Sequence, residues 1–284
     1  MCSLPKKLII DKNIFDSTLP SPRKLLDFTH NHFVILPDVL YFECVTTSEN
    51  KSPLLELFRD MILNGAYISP SCRAIIGSEA QTLVPYGPLV KLSEVDAVRK
   101  TFRENPTPYS TDTSVNLLQR DLAVARNLIY SANGFNEKLA SESPELLKEV
   151  RKWDNSKKSK PERLCTWASS VDEDMDIHKL AIVWFSDLTP YHEKFCLSKE
   201  WFTWQFLRLV MILRQEMAFL RHTGGSSSEA NIEHDLQDIQ YVTLLSKSEG
   251  LLTKDKGCSF LAKAAFPEKD VFSSIDEVTE DYRY

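Results

Sequence analysis

A chain of 284 residues, 43% hydrophobic and 26% charged, carries enough apolar material for a sizeable core and is not a disordered tail. Its 34 basic and 40 acidic residues leave a net charge of -6, which excludes gripping nucleic acid through one broad basic surface; a polyanion must meet a local patch. Six scattered cysteines form no C-x-x-C pair and no zinc-type cluster, and read as the reduced thiols of a cytoplasmic protein.

The opening "MCSLPKKLII" has too few apolar residues before Asp11 for a signal peptide or a membrane span. Lys7 to Ile10 reads as a short buried strand that ends at Asp11 and turns into a helix or loop. "HFVILPDVLYFECV" repeats the pattern: a strand from Phe33 to Leu36, then Pro37 and Asp38 suited to a helix start, with Glu43 about two turns in. "SPLLELFRDMILNG" is an amphipathic helix with proline early and glycine just past its end, and "AYISP" a brief strand. Such alternation implies a parallel sheet faced by helices.

From about Pro88 to about Thr223 the signals are mainly helical: "SVNLLQRDLAVARNLIY", "SPELLKEVRKW" and a long helix from Trp201 to Arg221, whose Arg208 and Arg214 rule out a membrane span. Between them "NSKKSKPER" reads as a basic loop and "TGGSSSEAN" as a flexible hinge. The alternation then returns, with a helix from Glu233 to Lys247, a strand from Gly250 to Thr253, a helix after Gly257 and a strand near Asp270 to Ser273. The simplest account is one α/β domain split into about 1–87 and 226–284 around a helical insertion at about 88–225.

In a parallel α/β sheet, ligands gather at the carboxyl ends of the strands. Asp11 and Asp255 follow two strands there, Glu43 lies on the helix after a third, and Asp235 and Asp238 share a face of the penultimate helix. Folded together, these carboxylates repel one another, and a hard divalent cation relieves them. All-oxygen ligands suit Mg2+ or Mn2+, and the chemistry implied is phosphodiester hydrolysis.

"LIIDKNIF", "VLYFECV", "NIEHDLQDIQYVTLL" and "GLLTKDKG", in this order, resemble the signature segments of PIN-domain nucleases, a family that includes toxin ribonucleases of toxin-antitoxin pairs and RNA-processing enzymes. The resemblance covers roughly the first seventy and last fifty residues and none of the middle. It implies a three-layer fold with a central parallel sheet and a Mg2+- or Mn2+-dependent endoribonuclease site. By motif position, Asp11, Glu43, Asp238 and Asp255 become the catalytic metal-binding acids, with Asp235 auxiliary and a rival for the third place. Asn13 falls beside the first acid and Thr253 where the family carries a site threonine. Lys12 and Lys254 join them as candidate substrate contacts, with Lys256 and the basic loop Lys157 to Arg163 behind. RNA is the expected partner, an inhibitor protein or a second copy of the chain the others. The alternative is an inactive PIN-like module that binds RNA or protein; a third possibility is a receiver- or phosphatase-type domain with Asp11 as phosphoryl acceptor.

Blander readings stand beside these. An aspartate after a strand is often a helix cap, and Asp235 could simply favour its helix's start. Asp172, Asp174 and Asp176 lack the glycine and glutamate of a calcium loop and read as a solvated acidic loop. His178, His192 and His222 have no partner at ligand spacing, and Arg208, Arg214 and Arg221 could pair with acids or face phosphate.

Overall fold

The computed structural model describes residues 5–19, 21–46, 51–105, 158–173, 197–222 and 229–284. Five parallel strands form one sheet: β1 (Leu8–Ile10), β2 (Val34–Leu36), β3 (Tyr67–Ile68), β4 (Gly250–Leu252) and β5 (Asp270–Phe272), in the order β3-β2-β1-β4-β5. Parallel neighbours need crossovers, and helices supply them. Helices α1 (Lys12–Thr18) and α2 (Arg23–Asn31) link β1 to β2, α3 (Asp38–Thr46) and α4 (Lys51–Leu63) link β2 to β3, and a single helix follows β4.

The apolar runs "LII" and "VIL" are buried at every residue. Successive strand residues point to opposite faces, so both faces of the sheet are covered there. Leu8 pairs with Val34 on one side and Gly250 on the other, which makes β1 the centre. The chain order reverses beside it, and the crevice between β1 and β4 at their carboxyl ends is where a ligand of such a sheet belongs.

After β3 come α5 (Cys72–Thr82), capped by Ser71 Oγ accepting from the Ala74 amide, and α6 (Val95–Glu104). Next among the described residues are α7 (Lys160–Glu173), α8 (Phe202–His222), α9 (Glu229–Leu245) and α10 (Lys256–Ala265). Helix α7 packs on α8 and α10, and α8 packs on α5, α7 and α9. Two bidentate ion pairs fix these helices. Arg163 of α7 meets Glu216 of α8 at 3.0 and 2.5 Å, with Trp167 Nε1 donating to the same carboxylate, and Arg208 meets Asp172 at 2.5 and 2.9 Å.

Glu79 of α5 is fully buried. It accepts from the amides of Phe202 (2.9 Å), Thr203 (2.9 Å) and Tyr86 (2.8 Å) and from the Thr203 hydroxyl (2.6 Å). A carboxylate thus satisfies the orphan donors at the start of α8.

Gly250 opens β4 because an added Cβ would stand 2.5 Å from Tyr282 Oη and 3.0 Å from Leu8 Cδ1. Tyr282 is itself fully buried and donates to Asp270 Oδ2 at 2.9 Å.

Several expectations are corrected. Lys160 to Arg163 of the expected basic loop are helical, because Glu162 accepts from the Ser159 amide and hydroxyl and starts α7 cleanly. Asp172 is not a solvated loop residue but the helical partner of Arg208. Residues 229–231 of the expected hinge belong to α9, which begins before the expected Glu233, so Asp235 lies well inside its helix and not at its start. Segments 114–130 and 143–153, and Asp174, Asp176, His178 and His192, lie outside the described residues. Among the described residues, no helix is long and apolar enough to cross a membrane.

Candidate functional site

Asp11 sits where β1 ends, its amide still bonded to the Leu252 carbonyl of β4 at 3.0 Å, so the ladder itself fixes its place. It holds the N-cap position of α1 without a side-chain capping bond. The carboxylate is instead held by its neighbours: Oδ2 accepts from Thr253 Oγ1 at 2.5 Å and from Asn13 Nδ2 at 2.9 Å. It is 3% exposed, and burial raises its pKa against the pull of those bonds.

Thr253 also accepts from the Asp255 amide at 3.0 Å, so one hydroxyl ties the two strand-end aspartates together. Asp255 is a helix cap as well: Oδ1 accepts from the Cys258 amide at 2.9 Å at the start of α10. The bland and the sharp reading hold at once for this residue, since a cap leaves the second oxygen free of that duty.

Glu43 reaches in from α3. Burial pushes its pKa up to about 8, and a hydrogen bond from the Tyr241 hydroxyl of α9 opposes that rise. Three residues before Tyr241, and so on the same side of α9, is Asp238. Burial raises its pKa well above the carboxylate range, and the charges of Asp255, Asp11, Asp235 and Glu43 add to the effect. Asp238 takes no hydrogen bond or ion pair from a described residue. Asp235 is raised by burial too, with Lys160 pulling the other way.

Gly257 measures the convergence. A Cβ placed on it would lie 3.0 Å from Asp255 Oδ1, 3.6 Å from Asp238 Oδ2 and 3.7 Å from Lys160 Nζ. Two acids and an ammonium group therefore crowd one spot over the start of α10, and glycine leaves that spot open. Cys258 lies fully buried beneath, its thiol pKa raised well above normal by burial and by the neighbouring Asp238, Asp11 and Asp255.

No family model, curated protein or solved structure matches this chain. The site therefore rests on its own geometry.

That geometry brings Asp11, Glu43, Asp238 and Asp255 into one electrostatic neighbourhood, with Asp235 beside Asp238 and Asp255. Among the described residues, no three His, Cys, Asp or Glu side chains are arranged to hold a metal ion. The acids share a field without closing into a ready-made ligand set. Asn13 and Thr253 are internal partners of Asp11. Lys12 is paired with Asp16 at 2.7 Å, while Lys254 and Lys256 are exposed beside the site. Sequence reasoning missed Tyr241, Gly257 and Cys258, and it did not single out Lys160 within its basic stretch. For Tyr241 the signal was its helical spacing from Asp238; for Lys160 none existed, because only the packing of α7 on α10 brings it here.

Proposed function

We propose that this protein is a PIN-like, metal-dependent nuclease of three-layer fold that hydrolyses phosphodiester bonds, with RNA as the foremost substrate. The observation that carries the reading is that Asp11, Glu43, Asp238 and Asp255, from four distant stretches of chain, act on one another's charge, with Asp11 and Asp255 just past the carboxyl ends of the two strands between which the strand order reverses. Mutually repelling carboxylates at such a place are costly without a cation.

The donor set fits magnesium or manganese in chemistry, being all oxygen. The residues that would hold the ion are Asp11, Glu43, Asp238 and Asp255, with Asp235 auxiliary. A divalent cation there supplies Lewis-acid charge to a phosphate oxygen and makes an adjacent water more acidic. The chain's own residues do the rest. Thr253 and Asn13 hold Asp11 in one orientation, Tyr241 fixes Glu43, and Lys160 and Lys254 offer positive charge to the flanking phosphates. The six scattered cysteines of the sequence, without a C-x-x-C pair, go with a reducing, cytoplasmic setting. An inhibitor protein or a second copy of the chain are the further partners this reading allows.

One observation favours a second reading, an inactive RNA- or protein-binding module: the Lys160 ammonium already supplies positive charge beside Asp238 and Asp255. Incubating mixed RNA and DNA with wild type and Asp11→Asn, with and without Mn2+, separates the two. Cleavage that requires Mn2+ and disappears in a folded Asp11→Asn variant is expected. Equal Mn2+-dependent cleavage by both proteins sinks the assignment of the acids, and no cleavage with no Mn2+ binding by calorimetry leaves the binding module.

A further inference from the structure

A second cavity, of about 340 Å3, opens along the β3 edge of the sheet, between α3, the end of α4 and α6. Its wall is largely apolar and aromatic, with Phe42, Tyr67, Tyr86 and Val98 prominent. Asp38, Lys91 and Glu94 interrupt that wall, and so do Ser69 and Arg99, each of which carries a buried polar atom without a hydrogen-bond partner. Ser69 directly follows β3 and is 1% exposed, yet its Oγ has no hydrogen-bond partner. Arg99 of α6 has its Nε buried without a partner as well. Its Nη2 donates to the Gly65 carbonyl at 3.3 Å, and its guanidinium stands 5.8 Å from the centre of the Tyr67 ring.

A buried donor left unsatisfied costs about 1–3 kcal/mol, and more when it is charged. Both residues line the same cavity, from which acceptors outside the chain can reach them. Arg99 is permanently charged and forms no ion pair with a described residue, while Lys91 at the rim is already paired with Glu94 at 3.5 Å. The missing acceptor is therefore best an anion. The position agrees: Asp38 and Ser69 of the wall stand just past the carboxyl ends of β2 and β3, the edge at which parallel sheets receive ligands.

We propose that this cavity binds a small aromatic anion, whose flat body lies among Phe42, Tyr67 and Tyr86 and whose carboxylate or phosphate accepts from Arg99 and Ser69. The volume lies at the lower end of small-molecule sites, which suits a body of one or two rings. This inference does not depend on the nuclease reading, since none of Asp11, Glu43, Asp235, Asp238 and Asp255 lines the cavity. Phe42 and Glu43 are adjacent on α3, however, so an occupant would press on the helix that carries Glu43.

The test is calorimetric titration of the full chain with 1-naphthoate, with phenyl phosphate and with neutral 1-naphthamide. At least one anion should bind roughly tenfold or more tightly than the amide, the difference expected of one charge-assisted contact. The better anion identifies which source the site prefers. Arg99→Met should remove about the same factor, and Val98→Trp, which places an indole in the cavity and leaves Arg99 and Ser69 in the chain, should abolish binding while the protein still unfolds cooperatively. If Arg99→Met does not fold, Arg99→Lys keeps the charge, loses the planar fork and should bind several-fold more weakly. Acid and amide binding alike, binding unchanged in Val98→Trp, or no binding of either anion overturns the proposal.

Discussion

Tyr241 donates its phenolic hydrogen to Glu43 Oε2 across 198 residues of sequence, joining α9 to α3 inside the acidic site. The bond opposes the burial that pushes the Glu43 carboxyl up to about 8. Tyr241→Phe removes the donor and leaves the carboxyl with burial alone. The Glu43 pKa, followed by carbon NMR of the carboxyl, should rise beyond its wild-type value, with a stability loss of about 1 kcal/mol. An unmoved titration would show that the bond does not act on the acid.

The same acid sets a pH trend in metal-free protein. Its pKa goes from an ordinary 4.5 to about 8 on folding, so between those values the folded state binds more protons than the unfolded one. This contribution to stability is present at low pH and is lost as pH rises through about 8. Burial shifts Asp11 and Asp238 in the same direction. The stability difference, Glu43→Gln minus wild type, should therefore grow from about pH 5 to about pH 8 in EDTA and then level off. A flat difference in denaturation experiments would contradict the burial of Glu43.

Arg163 and Glu216 form a bidentate pair with side-chain exposures of 14% and 3%. Removing the cation alone strands a buried charge, so Arg163→Met should cost about 3–5 kcal/mol in urea unfolding. Adding Glu216→Leu should restore part of that loss by removing the unpaired carboxylate, less about 1–3 kcal/mol for the Trp167 Nε1 donor it leaves unmet. If the double variant is as unstable as the single, stacking of the Arg163 guanidinium over the Phe219 ring, at 4.5 Å, is the larger effect.

Two glycines should respond oppositely to alanine. Gly250→Ala drives a methyl group into Tyr282 and Leu8 in a sheet that cannot shift easily, at about 1–3 kcal/mol. Gly77 lies in α5 with nothing within 4 Å of a new Cβ, and Gly77→Ala should gain up to about 1 kcal/mol from helix propensity. Thermal unfolding of the two variants decides it, and equal shifts would refute the close approach at Gly250.

The strands were legible because each is a short apolar run with no competing helical periodicity, and their parallel arrangement followed from the helices between them. Asp11, Glu43 and Asp255 could be placed because strand ends and helix turns position them locally. Lys160 and Asp172 were misread for the opposite reason. Their surroundings in sequence are charged and look solvated, and it is contacts with α8 and α10, dozens of residues away, that make them part-buried. Helices α2, α5 and α7 likewise carry mixed surfaces whose apolar sides declare themselves only against the helices they pack on: α4 for α2, α8 and α9 for α5, and α8 and α10 for α7. Ser69 and Arg99 gave no sign at all, since an unmet hydrogen bond is a property of packing and not of spacing.

The four bonds to Glu79 have a topological consequence. Its Oε1 accepts from both Tyr86 and Phe202, so the chain departs and comes home through the same doorway. With both jambs nailed to one oxygen, the turn after α5 and the start of α8 are held at a single point of the fold.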